Sequence, residues 1–495
     1  MQSVDLAKID IAIIVFYLLG MIVLGLWVGR GQRNARDYFL GGRNISWWGV
    51  GLSIVATETS AVTFISVPAM AYGGDLTFIQ IVIGYVIARI ILAILLVPHY
   101  FKGEIYSPYQ LLTRSFGPMA GKTCAGIFLI AGTLAAGVRV YATSIPLHLI
   151  THIDITLSAV LFILLSLVYM YMGGIKSVIW TEVLQFFLFV GGGVFTLFYI
   201  PTLLEGSFTE NLVMAKEAGK MHWFNGAWGW QLPFNIWMGV IGATVQVLSS
   251  HGADQLIVQR VLSCRNAREG SKALILSAVL IFPLFLIFLF TGLLLWVFYS
   301  QHPTELALPD GKVDYVFPLF ILSEMPVGIK GFLLVAIFSA AMSSVASALS
   351  ALASVFVMDF VKPLLRTRSD QWYLRFSKIS TLFWAILLIG VVKMSQTQPV
   401  IFDWAFSLNG LTSGALLAGL ILALYAQGLK PMAVVLGMVG SVVGMILLQV
   451  VMEINDVKCL AWPWFTLTGA LCGILFSFLF SLIGKGSGTI PLKKG

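Results

Sequence analysis

Residues 53–66 read SIVATETSAVTFIS, and they lie inside an apolar segment, residues 47–73, that is long enough to cross a membrane. The stretch places Glu58 among the hydroxyl side chains of Thr57, Thr59, Ser60 and Thr63. A charged side chain at the centre of a bilayer costs about 2.5–3.5 kcal/mol on insertion scales, and such residues usually pair or mark a solute path. The stretch therefore predicts a membrane helix that is interrupted at a functional site inside the bilayer.

The composition places this segment in a membrane protein. Of the 495 residues, 59% are hydrophobic and 11% are charged, whereas about 25% of a soluble domain is charged. Apolar runs of transmembrane length recur along the chain. We predict an all-α polytopic membrane protein with about 13 transmembrane helices. The expected spans are 9–30, 47–73, 76–100, 118–149, 155–172, 176–201, 234–262, 270–299, 328–362, 373–394, 400–426, 431–452 and 462–484.

The basic residues indicate orientation. The formal net charge is +8, but Lys and Arg concentrate in alternate loops, as the positive-inside rule requires, so the charge does not indicate nucleic-acid binding. We expect the N-terminus outside and the C-terminus, with Lys485, Lys493 and Lys494, in the cytoplasm. The predicted location is the plasma membrane, which in a bacterium is the inner membrane.

A second span is interrupted in the same way. The span at 234–262 contains SSHGADQ at residues 249–255. Each break begins a group of five spans, and because five is odd the two groups have opposite topology, which is typical of transporters with inverted repeats. We predict an extra N-terminal helix at 9–30, repeats at 47–201 and 234–426, and two C-terminal helices at 431–484. The alternative is that the hydroxyls bond within their own helix and the glycines mark close packing.

The ninth span carries a face of hydroxyls in FSAAMSSVASALSALASVFVMD, residues 338–359. Ser343, Ser347 and Ser350 are spaced i, i+4 and i+7, so they share one helix face, and Ser344 lies beside Ser347. Hydroxyl and carbonyl oxygens suit a hard cation, and this face opposite an unwound helix could complete a Na⁺ shell. Small residues also pack helices together, which is the alternative interpretation.

The chain resembles the sodium:solute symporter family over nearly its full length. Four segments carry the resemblance: DYFLGGRNISWWGVGLSIVATETSAVTFIS (37–66), GGIKSVIWTEVLQ (173–185), GADQLIVQR (252–260) and GFLLVAIFSAAMSSVASALSALASVFVMDF (331–360). The resemblance implies a five-plus-five inverted repeat with a discontinuous first helix in each repeat, and Na⁺-coupled uptake of a solute by alternating access. The family transports sugars, sialic acid, proline, pantothenate, iodide and carboxylates, so membership does not name the solute.

The resemblance also implies ion sites. The shared Na⁺ site corresponds to two carbonyls at the first break and to one carbonyl and two hydroxyls on the ninth span: Ala56, Thr59, Ala340, Ser343 and Ser344. A second Na⁺ site, found in some members, has Glu182 in place of an aspartate and Ala346 in place of one hydroxyl, which leaves Ser347. We expect one Na⁺ per cycle, with the site at Glu182 and Ser347 as the alternative.

Three interpretations of Glu58 remain open: a permanent pair with Arg139 or Arg89, a contact with the solute, or a proton site. Positions that match Glu58, Ser60 and Thr63 line the pocket in related members, and Gln80 resembles a substrate-contacting glutamine of the sialic-acid transporters. The candidate solute-binding residues are Glu58, Ser60, Thr63, Gln80, Arg139, His251 and Asn409.

Departures from the family pattern leave the identity of the transported solute undetermined. The aromatic pair of the sodium/galactose transporter is replaced by Ser250 and His251, and its pocket amide by WAFSLNG, which offers Asn409. The arginine that binds the carboxylate in sialic-acid relatives falls nearer Ala135 than Arg139. His251 is either pocket lining or a satisfied core residue. We expect a sugar, polyol, sialic acid or small carboxylate, with amino acids ranked slightly lower.

Other function classes fit less well. GPMAGKT at 117–123 has three residues between its glycines where a phosphate loop needs four, and HExxH is absent, so we do not expect an enzyme. The alternatives are a solute sensor with a transporter fold and an H⁺-coupled symporter. The expected partners are the solute, Na⁺ and the lipid bilayer, without nucleic acid, and the chain is expected to be a monomer.

Overall fold

The computed structural model describes residues 6–151, 153–232, 234–303, 308, 313–397, 399–457 and 459–483. The regular secondary structure of these residues is helical. Within them one isolated parallel bridge pairs Ile45 with Cys264, and it joins the chain just before the first broken helix to the chain just after the second. The lysines predicted at the cytoplasmic C-terminus lie outside the described residues.

The chain forms a succession of helices. Their bounds are α1 Lys8–Val28, α2 Ala35–Leu40, α3 Trp47–Glu58, α4 Ala61–Gly73, α5 Ile79–Ile91, α6 Val97–Tyr100, α7 Tyr109–Phe116, α8 Pro118–Thr151, α9 Ile155–Tyr199, α10 Phe208–Glu217, α11 Thr244–Gly252, α12 Gln255–Leu262, α13 Ala267–Gln301, α14 Val316–Glu324, α15 Ile329–Val355, α16 Lys362–Leu364, α17 Asp370–Thr397, α18 Pro399–Tyr425, α19 Pro431–Ile454 and α20 Phe465–Ile483. Short π-helical segments at Leu92–Leu96, Met238–Ala243 and Phe356–Val361 extend α5, precede α11 and extend α15.

The predicted number of 13 spans is not confirmed. Within the described residues, nine helices are long and apolar enough to cross a membrane, or ten if the bent pair α3 and α4 counts as one span. The predicted spans 155–172 and 176–201 both fall in α9, which has no loop between them. The second broken span is divided into pieces that are individually too short, and of the span at 400–426 only Gly410–Tyr425 counts as a shorter apolar helix.

The backbone of α9 changes direction at one glycine. Gly174 adopts φ 56° and ψ −156°, a conformation outside the helical region that glycine adopts far more easily than other residues. A Cβ at this position would lie 2.4 Å from the carbonyl oxygen of Tyr38. The 45 residues of α9 would measure about 68 Å at 1.5 Å per residue, more than twice the bilayer core. The helix is therefore long enough for two crossings that meet at Gly174.

The most enclosed helix is α15. In its apolar window 94% of the residues are buried, compared with 11% in α1. It contacts α3, α4, α8, α9, α12 and α17, and a helix that is apolar and surrounded on all sides forms the centre of a bundle. The serine-rich ninth span therefore lies in the middle of the protein.

Two buried polar contacts fasten α1 to this central helix. The Asp10 carboxylate is fully buried, and its Oδ1 accepts from the backbone N–H groups of Gly328 at 2.8 Å and Gly331 at 2.7 Å. The Tyr17 hydroxyl donates to Ser339 Oγ at 2.6 Å. Since free N–H groups at a helix start favour a carboxylate, Asp10 stabilises the N-terminus of α15. The helix α1 is thus bonded to the central helix of the bundle.

Candidate functional site

The first break leaves carbonyl groups without helical partners. In a continuous helix the Ser60 N–H would bond to the Ala56 carbonyl, but here it bonds to the Glu58 carbonyl at 3.0 Å. Thr59 leaves the helix with φ −79° and ψ 81°, and Ser60 Oγ accepts from the Thr63 N–H to start α4. Among the described residues, no hydrogen bond reaches the carbonyl oxygens of Ala56 or Thr59. The break therefore offers two buried oxygen ligands at the negative end of α3.

The predicted Na⁺ ligands of the ninth span lie on the enclosed helix next to this break. Ala340 is fully buried, Ser343 is 1% exposed and Ser344 is 7% exposed. Their helix, α15, contacts both α3 and α4. Ser343 Oγ donates to Glu182 Oε1 at 3.0 Å. A hydroxyl that donates its proton keeps its lone pairs. Ser343 can therefore serve Glu182 and a cation at the same time.

A second cluster forms around Glu182, midway along α9. The Arg260 guanidinium makes a bidentate contact with this carboxylate, at 2.6 Å from Nη2 to Oε1 and 3.1 Å from Nε to Oε2. Ser347 Oγ donates to Oε1 at 2.7 Å, and Ser53 Oγ donates to Oε2. Both ionised side chains are fully buried. The residues predicted for a second Na⁺ site, Glu182 and Ser347, are thus hydrogen-bonded to each other, and the Arg260 guanidinium contacts both of them.

The contribution of Arg260 was missed from the sequence. It ends the quoted segment GADQLIVQR and is a basic residue within a predicted span. An ionisable residue in a membrane segment calls for a named partner. That signal was available, although it does not by itself identify the partner.

The third feature is the ion pair of Glu58 with Arg89 of α5. Arg89 is fully buried, and the Glu58 side chain is 16% exposed. Arg89 Nη1 also donates to the Tyr85 carbonyl at 2.9 Å, and Nη2 lies 3.2 Å from His251 Nε2. Because a guanidinium only donates, His251 Nε2 accepts, so the imidazole proton is on Nδ1 and points to Ser250 Oγ at 2.9 Å. Of the two arginines considered from the sequence, Arg89 is the one that pairs with Glu58.

The remaining predicted solute residues differ in their surroundings. Gln80 is fully buried and engaged at both ends, accepting from the Asn225 N–H at 3.2 Å and donating to the Thr77 carbonyl at 3.3 Å. Thr63 Oγ1 donates to the Glu58 carbonyl at 3.4 Å, and Ser60 Oγ lies 3.5 Å from Thr63 Oγ1. These hydroxyls therefore lie beside the Glu58 backbone.

Two predicted residues lie away from this group or outside the description. Arg139 of α8 interacts electrostatically with Asp254, whose carboxylate accepts from the Leu256 N–H at the start of α12. In the described part of the chain Arg139 has no ion pair with Glu58. The Asn409 side chain lies outside the described part of the chain.

Two broken helices, buried ion pairs and a central hydroxyl-bearing helix define a multi-pass membrane transporter. The model of the sodium:solute symporter family matches residues 38–440. The sodium/sialic acid symporter SiaT of Proteus mirabilis (strain HI4320) is 30% identical over 471 residues, covering 92% of this chain and 92% of that protein. The chain belongs to the sodium:solute symporter family.

Further relatives agree with this assignment. The sodium/sialic acid symporter NanT of Aliivibrio fischeri (strain ATCC 700601 / ES114) is 28% identical over 467 residues, covering 92% of this chain and 90% of that protein. A solved structure of a Na⁺-coupled sialic acid symporter, in a substrate-bound outward-open state, matches with a TM-score of 0.87 at 27% identity. It covers 97% of this chain and 98% of that one. The fold is therefore shared over almost the whole length.

Proposed function

We propose that this protein is a Na⁺-coupled symporter that carries a small polar organic solute into the cell by alternating access between inverted repeats. The observation that carries the proposal is the pair of unbonded carbonyls at Ala56 and Thr59, at the end of a helix that contacts α15, the helix that bears the buried hydroxyls of Ser343 and Ser344. Carbonyl and hydroxyl oxygens at the end of a broken helix are the ligands that transporters of this architecture offer to Na⁺. With the Ala340 carbonyl they supply five oxygens.

Binding of Na⁺ at these oxygens joins the end of α3 to α15. The solute then binds near Glu58, Ser60 and Thr63, which lie within a few residues of the same break. Coupling requires that Na⁺ and the solute both bind one conformation more tightly than the other, and each then raises the affinity of the other by the same factor. Release of Na⁺ into a low-sodium cytoplasm lets α15 part from α3, and the solute follows.

The first solute class to test is the carboxylated sugars of the sialic acid type. Two relatives are named as sodium/sialic acid symporters. The charge of Glu58 is compensated by Arg89, so the acidic residue no longer favours a cationic solute. Neutral sugars, polyols and small carboxylates remain the competing classes. We propose further that the protein is a monomer in the plasma membrane, with the N-terminus outside and the C-terminus in the cytoplasm.

The test is a thermal-shift screen of the purified protein in NaCl and in KCl at equal ionic strength. A solute at 100 times its Kd stabilises the folded state by about 2.7 kcal/mol. We expect one solute class to stabilise the protein in sodium only, and Ser343→Ala to abolish this stabilisation. Ser350→Ala is the matched control, because Ser350 is buried on the same helix face and bonds to Gln259 instead of Glu182.

Uptake into proteoliposomes then separates the function classes. Accumulation that follows an imposed sodium gradient supports the symporter. Accumulation that follows a pH gradient without sodium indicates H⁺ coupling. Solute-dependent stabilisation without any accumulation indicates a sensor, and equal behaviour in sodium and potassium for every solute contradicts the proposal.

A further inference from the structure

We propose that a cavity between the end of α1 and the start of α17 binds the phosphate headgroup of an anionic phospholipid from the cytoplasmic leaflet of the membrane. The cavity has a volume of about 430 Å³ and is lined by Gln32, Arg33, Gln371, Leu374 and Arg375. Small-molecule sites commonly have volumes of about 300–1,000 Å³. The inference goes beyond the proposed function, because this lipid is neither the transported solute nor the coupling ion.

The first argument is the charge of the cavity wall. It contains two arginines, and none of its lining residues in the described part of the chain is acidic. Among the described residues neither Arg33 nor Arg375 forms an ion pair. The Asp37 carboxylate accepts from the backbone N–H of Arg33 at 2.9 Å. Two guanidinium groups that share a cavity repel each other unless an anion lies there, and their N–H donors match the oxygens of a phosphate group.

This pair differs from other arginines of the same predicted face. Arg43 Nη2 donates to the Ile105 carbonyl at 2.7 Å, and Arg265 Nε donates to Asn44 Oδ1 at 2.8 Å. An excess of basic residues in these loops orients the chain in the membrane, so a basic residue by itself indicates no ligand. The two cavity arginines line one enclosed space without a carboxylate, and this arrangement favours a bound anion.

The second argument is the position of the cavity at the ends of membrane helices. Helix α1 ends at Val28, and α17 begins at Asp370. The turn of α9 lies beside the cavity, since a Cβ at Gly174 would lie 3.1 Å from Gln32 Nε2. All three points belong to the side that the distribution of Lys and Arg predicts to be cytoplasmic. Basic pockets between membrane helices on that side bind anionic lipid headgroups.

The third argument is an apolar surface that leads from this turn into the bilayer. It consists of five side chains of α9 that are between 38% and 51% exposed: Leu157, Leu161, Leu164, Val168 and Met172. They recur at intervals of three or four residues, so they form one stripe along the helix. The stripe ends two residues before the turn at Gly174. An exposed apolar stripe on a membrane helix is a surface for acyl chains.

The stripe meets α17 next to the cavity. Lys378 Nζ lies 5.3 Å from the centroid of the Tyr171 ring, which is adjacent to the last residue of the stripe. Lys378 is about one turn after Leu374 on α17. Further along α17, Ile379 and Ile386 are 59% and 61% exposed. A lipid with its headgroup in the cavity therefore has apolar surfaces of α9 and α17 for its acyl chains, whereas a free phosphate leaves them unused.

The experiment is a titration of the detergent-purified full-length protein with dioleoylphosphatidylglycerol, followed by native mass spectrometry. Dioleoylphosphatidylcholine, which has no net charge, is titrated in parallel. We expect the first phosphatidylglycerol to bind about 25-fold more tightly than the first phosphatidylcholine, because each of two basic residues strengthens binding of an anionic lipid about fivefold. Arg33→Gln and Arg375→Gln should each weaken phosphatidylglycerol binding about fivefold, and the double variant about 25-fold. Arg268→Gln is the matched control, because Arg268 is exposed on the same predicted face.

The outcomes separate a built site from general surface charge and from a soluble anion. Losses confined to Arg33→Gln and Arg375→Gln, with phosphatidylcholine binding unchanged, support the inference. Equal binding of the two lipids, or an equal loss in Arg268→Gln, overturns it. Displacement of the lipid by inorganic phosphate at the same concentration assigns the cavity to a soluble anion and also overturns it. None of these results alters the sodium-dependent solute binding on which the proposed function is tested.

Discussion

Removing either member of the Glu58–Arg89 pair should destabilise the protein by unequal amounts. Arg89 is fully buried and remains charged, whereas Glu58 is 16% exposed and can take up a proton. In Glu58→Met the guanidinium keeps, among the described residues, the Tyr85 carbonyl and His251 as hydrogen-bond partners. Leaving Arg89 without Glu58 should therefore lower the free energy of unfolding more than leaving Glu58 without Arg89.

The expected magnitudes follow from this difference. Removing one partner of a buried pair costs about 3–5 kcal/mol, and we expect Glu58→Met to fall in this range. For Arg89→Met we expect about 1–3 kcal/mol, the cost of an unsatisfied polar group. Replacing both with methionine leaves no buried charge, so the double variant should be closer to the wild type than Glu58→Met alone.

The assay is unfolding by SDS in mixed micelles, followed by the fluorescence of the 14 tryptophans. The matched control is the surface pair of Arg36 and Glu104, with side chains 47% and 57% exposed and an N–O distance of 3.8 Å. Its removal should cost about 0.2–1 kcal/mol. Strictly additive losses for Glu58→Met and Arg89→Met would refute the reasoning, because residues that share an ion pair must show a coupling energy.

Two further predictions use the same unfolding assay. Gly292→Ala should destabilise the protein by about 1–3 kcal/mol, because its Cβ would lie 2.1 Å from a backbone oxygen of α4. Gly126→Ala, with open space around it, should stabilise α8 by about 0.5–1 kcal/mol; equal effects at the two glycines would argue against the close approach of α4 and α13. Asp10→Ala should cost about 1–3 kcal/mol by leaving two buried N–H groups without an acceptor. Asp10→Asn keeps one acceptor oxygen and should cost less, and the reverse order would exclude a capping role.

Local sequence signals predicted the parts of the site that lie within one segment. The polar patch at residues 56–60 predicted an interruption, and α3 ends at Glu58 while α4 begins at Ala61. The patch at residues 249–255 coincides with the gap between α11 and α12. The spacing of Ser343 and Ser347 placed them on one face, and both donate to the same carboxylate oxygen. The spacing and type of neighbouring residues predict helix breaks and helix faces, because these features are determined within one or two helical turns.

Contacts between distant segments were not predictable in the same way. Arg89 and Arg139 were both candidate partners of Glu58, because the sequence does not determine which side of each helix faces Glu58. Each residue turns the side chain by about 100° around the axis, so the choice depends on how the helices pack. The pairing of Glu182 with Arg260 joins residues 78 positions apart. The predicted number of 13 spans is not confirmed, because length and hydropathy identify nine spanning helices in the described part of the chain, or ten with the bent pair α3 and α4.

The bond between Asp10 and the start of α15 has a consequence for biosynthesis. Asp10 belongs to the first described helix, and its partner Gly328 lies 318 positions later in the chain. At about 5–20 residues per second, the ribosome needs roughly 16–64 s to reach it. During that time the first helix carries an unpartnered acidic group. The bonds that fasten α1 to α15 can therefore form only after Gly328 and Gly331 have been synthesised, and a chain arrested before residue 328 lacks both donors for the Asp10 carboxylate.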